Sequence, residues 1–177
     1  KLRNKDGSIV SAANLEEQML DACRQGNLCL LEEALSNVSV SINDRWDVRG
    51  RYCLDHWTVA TPLVIAVDHG HQSVVTELLK QRADPNVEEI ACGADKIVRK
   101  PLRIAVARGN VAIVSLLLKA GACMDIAAQT EEPILATAKD SGRWASEPSG
   151  TLMDIACFYG NRAIIDLLEL RSGRSPY

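Results

Sequence analysis

The chain repeats one short pattern four times, and this repetition constrains its fold more than any other feature of the sequence. In each copy an alanine stands four residues before a glycine, Asn or His follows the glycine, and an apolar run comes next. The copies are MLDACRQGNLCLLEEAL from Met19, TPLVIAVDHGHQSVVTELL from Thr61, KPLRIAVARGNVAIVSLLL from Lys100 and TLMDIACFYGNRAIIDLL from Thr151. Such repetition predicts stacked supersecondary units, because one unit alone cannot bury its apolar face.

Each copy predicts a pair of helices joined at the glycine. In the second copy, Thr61 can cap the first helix, and Pro62 suits its first position. Gly70 can adopt the left-handed conformation that ends a helix, and the run QSVVTELLK has apolar residues on one face of a second helix. Small residues just before the glycines, Cys23 and Cys157 among them, are expected to fill the core where one helix pair approaches the next.

The four segments resemble the ankyrin repeat, whose pattern is roughly TPLHxA, Gly-His, an apolar helix and Gly-Ala-Asp-x-Asn. The second and third copies match best, through TPL at 61–63 with ADPN at 83–86, and PL at 101–102 with GACMD at 121–125. The first copy lacks the TPL opening, and Asn14 with Glu17 is expected to form a capping box there. The resemblance implies an all-α ankyrin-repeat solenoid of four to five helix pairs in a single domain, residues 1–177.

Long insertions separate the copies and are the main departure from the family pattern. The glycines at 26, 70, 109 and 160 are 44, 39 and 51 positions apart, whereas the family period is about 33. The excess falls where ankyrin-type units carry fingers or hairpin loops. The third insertion could hold a degenerate repeat. The chain starts with Lys1 rather than with a methionine, which suggests a piece of a larger protein. The predicted repeats lie near 15–43, 61–87, 100–126, 131–148 (degenerate) and 151–170.

In the stretch NDRWDVRGRYCLDHWTVATP, residues 43–62, the first finger takes residues 43–60 and contains two of the three tryptophans of the chain. Aromatic and arginine side chains are enriched among binding anchors, and a helical array does not need them for its core. Alternatively, Trp46, Tyr52 and Trp57 fold back and pack the finger on its neighbour. The finger residues expected to bind a partner are Arg45, Trp46, Arg49, Arg51, Tyr52, Trp57 and, in the third insertion, Trp144.

A second candidate surface consists of the two residues before each glycine. The resemblance implies that these residues lie on the concave side of the array, where ankyrin-type proteins hold ligands. Alternatively, the charged members form an ordinary solvated face, and Phe158 packs against a further repeat. The members expected to bind a partner are Asp68, His69, Arg108, Phe158 and Tyr159.

Composition excludes several other classes of function. The net charge is −3, and no block of lysine or arginine marks a nucleic-acid binder. The longest apolar runs are too short to insert into a membrane. Six cysteines without a CxxC pair predict free thiols in a reducing, cytoplasmic or nucleocytoplasmic compartment. Cys53 and His56 could supply only two zinc ligands, so we expect no metal and no cofactor.

The sequence predicts a binding module that catalyses no reaction. No nucleophile elbow, zinc-protease motif or phosphate-binding glycine loop is present, although a catalytic domain elsewhere in a parent chain stays open. We expect a monomeric domain that binds a protein or peptide partner. The alternatives are a degron receptor of a ubiquitin ligase, a cytosolic regulatory domain of a channel or kinase, and a structural spacer; all rest on analogy of fold.

Overall fold

The computed structural model describes residues 2–3, 9–10, 12–36, 41–47, 59–87, 89–90, 98–124 and 150–172. Within these ranges the helices form four consecutive pairs, one for each copy of the sequence pattern, and we number these pairs repeats 1 to 4. They are α1 (Ala12–Gln25) with α2 (Leu28–Leu35), α3 (Pro62–Asp68) with α4 (Gln72–Lys80), α5 (Pro101–Ala107) with α6 (Val111–Lys119), and α7 (Leu152–Phe158) with α8 (Arg162–Ser172). The predicted helix pairs are confirmed.

The ends of α3 show how the sequence sets the length of a helix. Thr61 has extended backbone, and its Oγ1 accepts the N–H of Val64 at 3.5 Å, while Pro62 occupies the first turn. Gly70 follows the C-cap with φ of +77°, in the left-handed region that glycine adopts without steric cost. The predicted N-cap and glycine stop are therefore both present.

The repeats stack in chain order and form two layers. The first helices pack as α1, α3, α5 and α7, and the second helices pack beside them as α2, α4, α6 and α8. One alanine from each first helix is completely buried, which allows neighbouring helices to approach closely. These alanines are Ala22, Ala66, Ala105 and Ala156. The all-α solenoid is confirmed.

The two cysteines expected in the core have different environments. Cys23 is completely buried, as predicted, but Cys157 is exposed, so that prediction is wrong. The equivalent residues of repeats 2 and 3, Val67 and Val106, are buried within the stack of first helices. Helix α7 is the last first helix in the described chain, and none of the described helices covers the side on which Cys157 lies.

The start of α1 also differs from the expectation. The helix begins at Ala12, so Asn14 lies within its first turn. An N-cap residue has non-helical backbone, and Asn14 therefore cannot cap this helix. The predicted capping box of Asn14 and Glu17 is wrong. The proposed degenerate repeat at 131–148 lies outside the described residues.

The described ranges also contain short antiparallel strand pairs. One pair precedes α1, and the other two form the bases of the first two fingers. They are β1 (Leu2–Arg3) with β2 (Ile9–Val10), β3 (Trp46–Asp47) with β4 (Val59–Ala60), and β5 (Glu89–Ile90) with β6 (Val98–Arg99). In the first finger Trp46 is opposite Ala60, and in the second Glu89 is opposite Arg99. Strand β4 lies against β5, so the two fingers are neighbours.

One asparagine links each of the first two fingers to the repeat that follows it. Asn43 accepts the backbone N–H of Asp84 at 2.8 Å and donates to the carbonyl of Arg82 at 3.4 Å. Asn86 makes the same pair of contacts one repeat later, with the N–H of Cys123 at 2.7 Å and the carbonyl of Gly121 at 3.2 Å. Because each amide both donates and accepts, it fixes the register of successive repeats.

Candidate functional site

The two residues before each glycine occupy equivalent places at the end of the four first helices. We call these eight residues the pre-glycine row. The row consists of Arg24 and Gln25, Asp68 and His69, Ala107 and Arg108, and Phe158 and Tyr159. Since the first helices stack in order, residues of one repeat lie beside those of the next.

Asp68 and Arg108 form an ion pair between repeats 2 and 3. The Nη2 and Nε atoms of Arg108 both donate to Oδ1 of Asp68, at 2.7 and 3.1 Å. The Asp68 side chain is only 6% exposed and that of Arg108 27% exposed. A buried carboxylate needs such a partner. The structure thus brings together two predicted binding residues, holding the guanidinium in one position.

The two histidines of repeat 2 are held by backbone carbonyls. His69 Nδ1 donates to the carbonyl of Ile65 at 3.0 Å, and His71 Nε2 donates to the carbonyl of Arg24 in repeat 1 at 2.7 Å. The two rings stack with centroids 6.2 Å apart. His71 therefore links repeat 2 to repeat 1, while His69 stays exposed in the row.

Phe158 and Tyr159 form the aromatic part of the row. These two residues are 59% and 42% exposed, and their rings meet edge to face with centroids 5.2 Å apart. Leu170 on α8 is also exposed, at 83%. Leu170 lies on a second helix, outside the row.

The predicted finger residues are mostly outside the described part of the chain. Arg45 is exposed just before β3. The backbone of Trp46 pairs with Ala60, but its side chain is not among those that the structure describes. The predictions for Arg49, Arg51, Tyr52, Trp57 and Trp144 fall on residues that the structure does not describe.

Two cationic residues of repeat 3 were not among the predicted binding residues. Lys100 is the N-cap residue of α5, and Arg103 follows in that helix, both partly buried. Arg103 Nη1 donates to the carbonyl of Gly150 at 3.4 Å, which links α5 to the start of repeat 4. The charge of this repeat could have drawn attention to these two residues, because residues 98–124 contain five cations and no Asp or Glu.

The described residues offer little for catalysis. Burial raises the pKa of the Cys23 thiol far above its ordinary value, so this cysteine stays protonated and a poor nucleophile. Among the residues that the structure places, no three His, Cys, Asp or Glu side chains gather as metal ligands would. Cys53 and His56 lie outside this part. None of the described helices is both long and apolar enough to cross a membrane.

Stacked helix pairs with finger hairpins define a helical-repeat protein. A family model described as Ankyrin repeats (3 copies) matches residues 19–130, well over half of the chain. The chain belongs to the ankyrin-repeat family, as its sequence pattern predicted. A comparison with curated proteins finds no match.

Proposed function

We propose that this chain is a non-catalytic module, monomeric and cytoplasmic or nucleocytoplasmic, that binds a partner peptide or domain through the pre-glycine row and the fingers. Ankyrin repeats are generally protein–protein interaction modules. The observation that carries the proposal is the exposed pair of Phe158 and Tyr159, in the same row as an arginine that an ion pair holds in place. Aromatic and arginine side chains supply much of the energy at protein interfaces.

The stacked architecture supports binding with little reorganisation. Row residues sit at helix ends fixed by caps and by contacts to neighbouring repeats, as Arg108 is fixed by Asp68. A side chain that is already ordered loses less conformational entropy when it binds. The repeats would therefore present a preformed surface rather than fold around the partner.

Affinity capture from a cytosolic extract tests the proposal. The wild-type chain is compared with a Phe158→Ala/Tyr159→Ala variant, and Leu170→Ala is the matched control because Leu170 is exposed but lies outside the row. We expect a specific protein to be lost with the double variant and retained by the control. Circular dichroism of all three proteins verifies that they fold equally.

A second variant separates the row from the fingers. Trp46→Ala/Trp57→Ala/Trp144→Ala removes the three finger tryptophans and leaves the row intact. Loss of the same protein with both variants would show that the two surfaces act together. If a specific protein is captured equally by the wild type and both variants, neither surface binds it. If none of the three proteins captures a specific protein, the spacer function is favoured.

A further inference from the structure

The last described repeat has apolar side chains that are less covered than their counterparts in the repeats before it. Cys157 of α7 is exposed, and Met153 of α7 and Ile165 of α8 are only partly buried. We call these three residues the open side of repeat 4. Their counterparts in repeats 2 and 3 are all buried, and in both cases the next helix pair packs alongside. The counterparts are Leu63 and Leu102 for Met153, Val67 and Val106 for Cys157, and Val75 and Val114 for Ile165.

Gly160 also lacks a contact that the earlier glycines receive from the next repeat. A Cβ added at each earlier glycine would lie within 3.5 Å of the side chain that follows the glycine of the next repeat. The pairs are Gly26 with His71, Gly70 with Asn110, and Gly109 with Asn161. At Gly160 such a Cβ would meet no atom of the described residues within 4 Å. A histidine or an asparagine is therefore what a following unit brings to this place.

The opposite end of the stack is polar. Five residues before the glycine, repeats 2 to 4 have buried isoleucines, which are Ile65, Ile104 and Ile155. Repeat 1 has Asp21 at this position, partly exposed and paired with Arg24 at 3.5 Å. A helical array needs a polar outer face on its terminal repeats. Repeat 1 has such a residue where the other repeats have isoleucine, whereas the open side of repeat 4 is apolar.

These features decide which occupant complements the open side. A second copy stacked head to tail would bury the charge of Asp21 against an apolar surface, which costs free energy. Two copies that met through their open sides would bring neither histidine nor asparagine to Gly160. A further repeat has the right chemistry, as repeat 4 has for repeat 3. The residues that repeat 4 supplies are Ile155 and Ala156, both completely buried, and Asn161 beside the glycine of repeat 3.

We propose that the open side of repeat 4 binds a helix pair of a partner protein, which stacks on α7 and α8 as repeat 4 stacks on repeat 3. This inference rests on the proposed function and adds the kind of partner. The first helix of the partner presents an aliphatic residue followed by alanine to Cys157, and His or Asn after its glycine faces Gly160. The new interface continues the one between α5 and α7. Phe158 stands at the position of Asp68, which Arg108 of the following repeat contacts, so the same partner also reaches the row.

Selection from a displayed library of three-repeat helical arrays tests the inference on the full chain. The library varies, in the first repeat of each array, the positions equivalent to Ile155, Ala156 and Asn161. We expect the wild-type protein to enrich arrays with an aliphatic residue, Ala or Gly, and His or Asn at these three positions. A Cys157→Asp/Ile165→Asp variant should lose the enrichment, because docking would bury two unpaired carboxylates.

The matched control is Cys29→Asp/Ala112→Asp. It also adds two carboxylates, at exposed positions of α2 and α6, and should enrich the same arrays as the wild type. Circular dichroism of the three proteins verifies that they fold equally.

Alkylation of cysteines locates the array on the wild-type protein, so this measurement does not depend on a variant. Cys29 and Cys157 are both exposed, and peptide mass spectrometry follows their reactions with iodoacetamide separately. An enriched array at about ten times its Kd should slow the modification of Cys157 about tenfold by mass action. The modification of Cys29 should not change.

Several outcomes would overturn the inference. These are no enrichment, enrichment of arrays with charged residues at the varied positions, enrichment that Cys157→Asp/Ile165→Asp retains, or unchanged modification of Cys157 in the complex. A wild-type dimer in sedimentation equilibrium that the same variant abolishes would place a second copy on the open side instead. The proposed function is judged separately by affinity capture. A protein lost there with Phe158→Ala/Tyr159→Ala but retained by Cys157→Asp/Ile165→Asp would keep the row as an interface and overturn only the inference.

Discussion

Asp68 and Phe158 occupy the same position in their repeats, yet one is buried under the next repeat and the other is exposed. Arg108 of repeat 3 covers Asp68, whose side chain is only 6% exposed. Phe158 stands in the last described repeat and is 59% exposed. The two residues therefore have different environments, because Arg108 of the next repeat packs on Asp68, whereas repeat 4 is the last repeat that the structure describes.

The glycines show the same difference between covered and open repeats. Gly26 and Gly160 both have positive φ, of 72° and 66°. A Cβ added at Gly26 would lie 2.5 Å from Nδ1 of His71, whereas one added at Gly160 would meet no atom of the described residues within 4 Å. The two glycines thus separate the cost of the backbone conformation from the cost of packing.

The largest effect is expected from Gly26→Ala compared with Gly160→Ala. Both variants place alanine in the left-handed region, which costs about 1–2 kcal/mol. Gly26→Ala also displaces the His71 ring from its 2.7 Å hydrogen bond to the carbonyl of Arg24, so its total loss should be about 3 kcal/mol. Urea denaturation of the two variants and the wild type measures both losses.

Equal losses for the two glycine variants would break the comparison between covered and open repeats. Replacing the ring separately gives a control, since Gly26→Ala in a His71→Ala background should cost no more than Gly160→Ala. A larger cost in that background would mean that some other contact opposes a side chain at Gly26.

A smaller effect is expected for Asp68→Ala, which leaves the partly buried Arg108 guanidinium without this carboxylate. We expect a loss of about 2 kcal/mol in unfolding free energy, below the values for fully buried pairs because Arg108 is 27% exposed. Phe158→Ala, at the equivalent position of repeat 4, should change it by less than about 0.5 kcal/mol. Thermal or urea unfolding of both variants provides the measurement.

A double-mutant cycle tests whether the ion pair itself causes the effect. The loss in unfolding free energy for Asp68→Ala/Arg108→Ala should be smaller than the sum of the losses for the two single variants. Each single variant leaves one charge without its counter-charge, whereas the double variant removes both charges. Additive losses would show that each residue acts through other contacts, and a large loss for Phe158→Ala would assign that residue to the core instead of a binding surface.

Local sequence patterns predicted most of the fold because they repeat the same physical solution four times. In the copies, an N-cap residue, a small core residue and a glycine that ends the first helix together predict the helix pairs. The resemblance to ankyrin repeats predicts the order in which the pairs stack. The two errors have different causes. The first copy lacks the TPL opening, so Asn14 was mistaken for a cap. Cys157 aligns with Val67 and Val106, which are buried, but none of the described helices covers its side of α7.

The candidate site was less predictable, since it depends on contacts between repeats. Asp68 and Arg108 were singled out from the sequence as surface residues, but nothing local indicates that they pair across 40 positions. Aligning the copies could have revealed it, because the two residues stand at neighbouring positions of consecutive repeats. Nothing local in the sequence indicates that Arg103 donates to the carbonyl of Gly150, 47 positions away.

The N-caps of α3 and α7 extend the same comparison to pH. Thr61 and Thr151 both accept a backbone N–H from the residue three positions on. That residue is the buried Val64 in repeat 2 but the exposed Asp154 in repeat 4. The Asp154 carboxylate in turn accepts the backbone N–H and the hydroxyl of Thr151, at 2.7 and 2.8 Å. Of these two N-caps, therefore, the one of α7 includes a titrating group and the one of α3 does not.

The smallest effect is expected for Asp154→Asn, and it should depend on pH. The hydrogen bonds from Thr151 lower the pKa of Asp154 below its ordinary value of 3.8. A lowered pKa in the folded state stabilises the protein above the pKa of the unfolded chain, and this contribution disappears as the pH falls through the folded-state pKa. The wild type should be more stable than Asp154→Asn near neutral pH, and the difference should shrink as the pH falls below 3.8, the ordinary pKa of this carboxyl group. Urea midpoints of both proteins over this pH range measure it, with Val64→Ala as a variant whose loss should stay constant. A pH-independent difference for Asp154→Asn would mean that the amide cannot take the position of the carboxylate in the hydrogen bonds with Thr151. The geometry of this cap, rather than its charge, would then determine its contribution to stability.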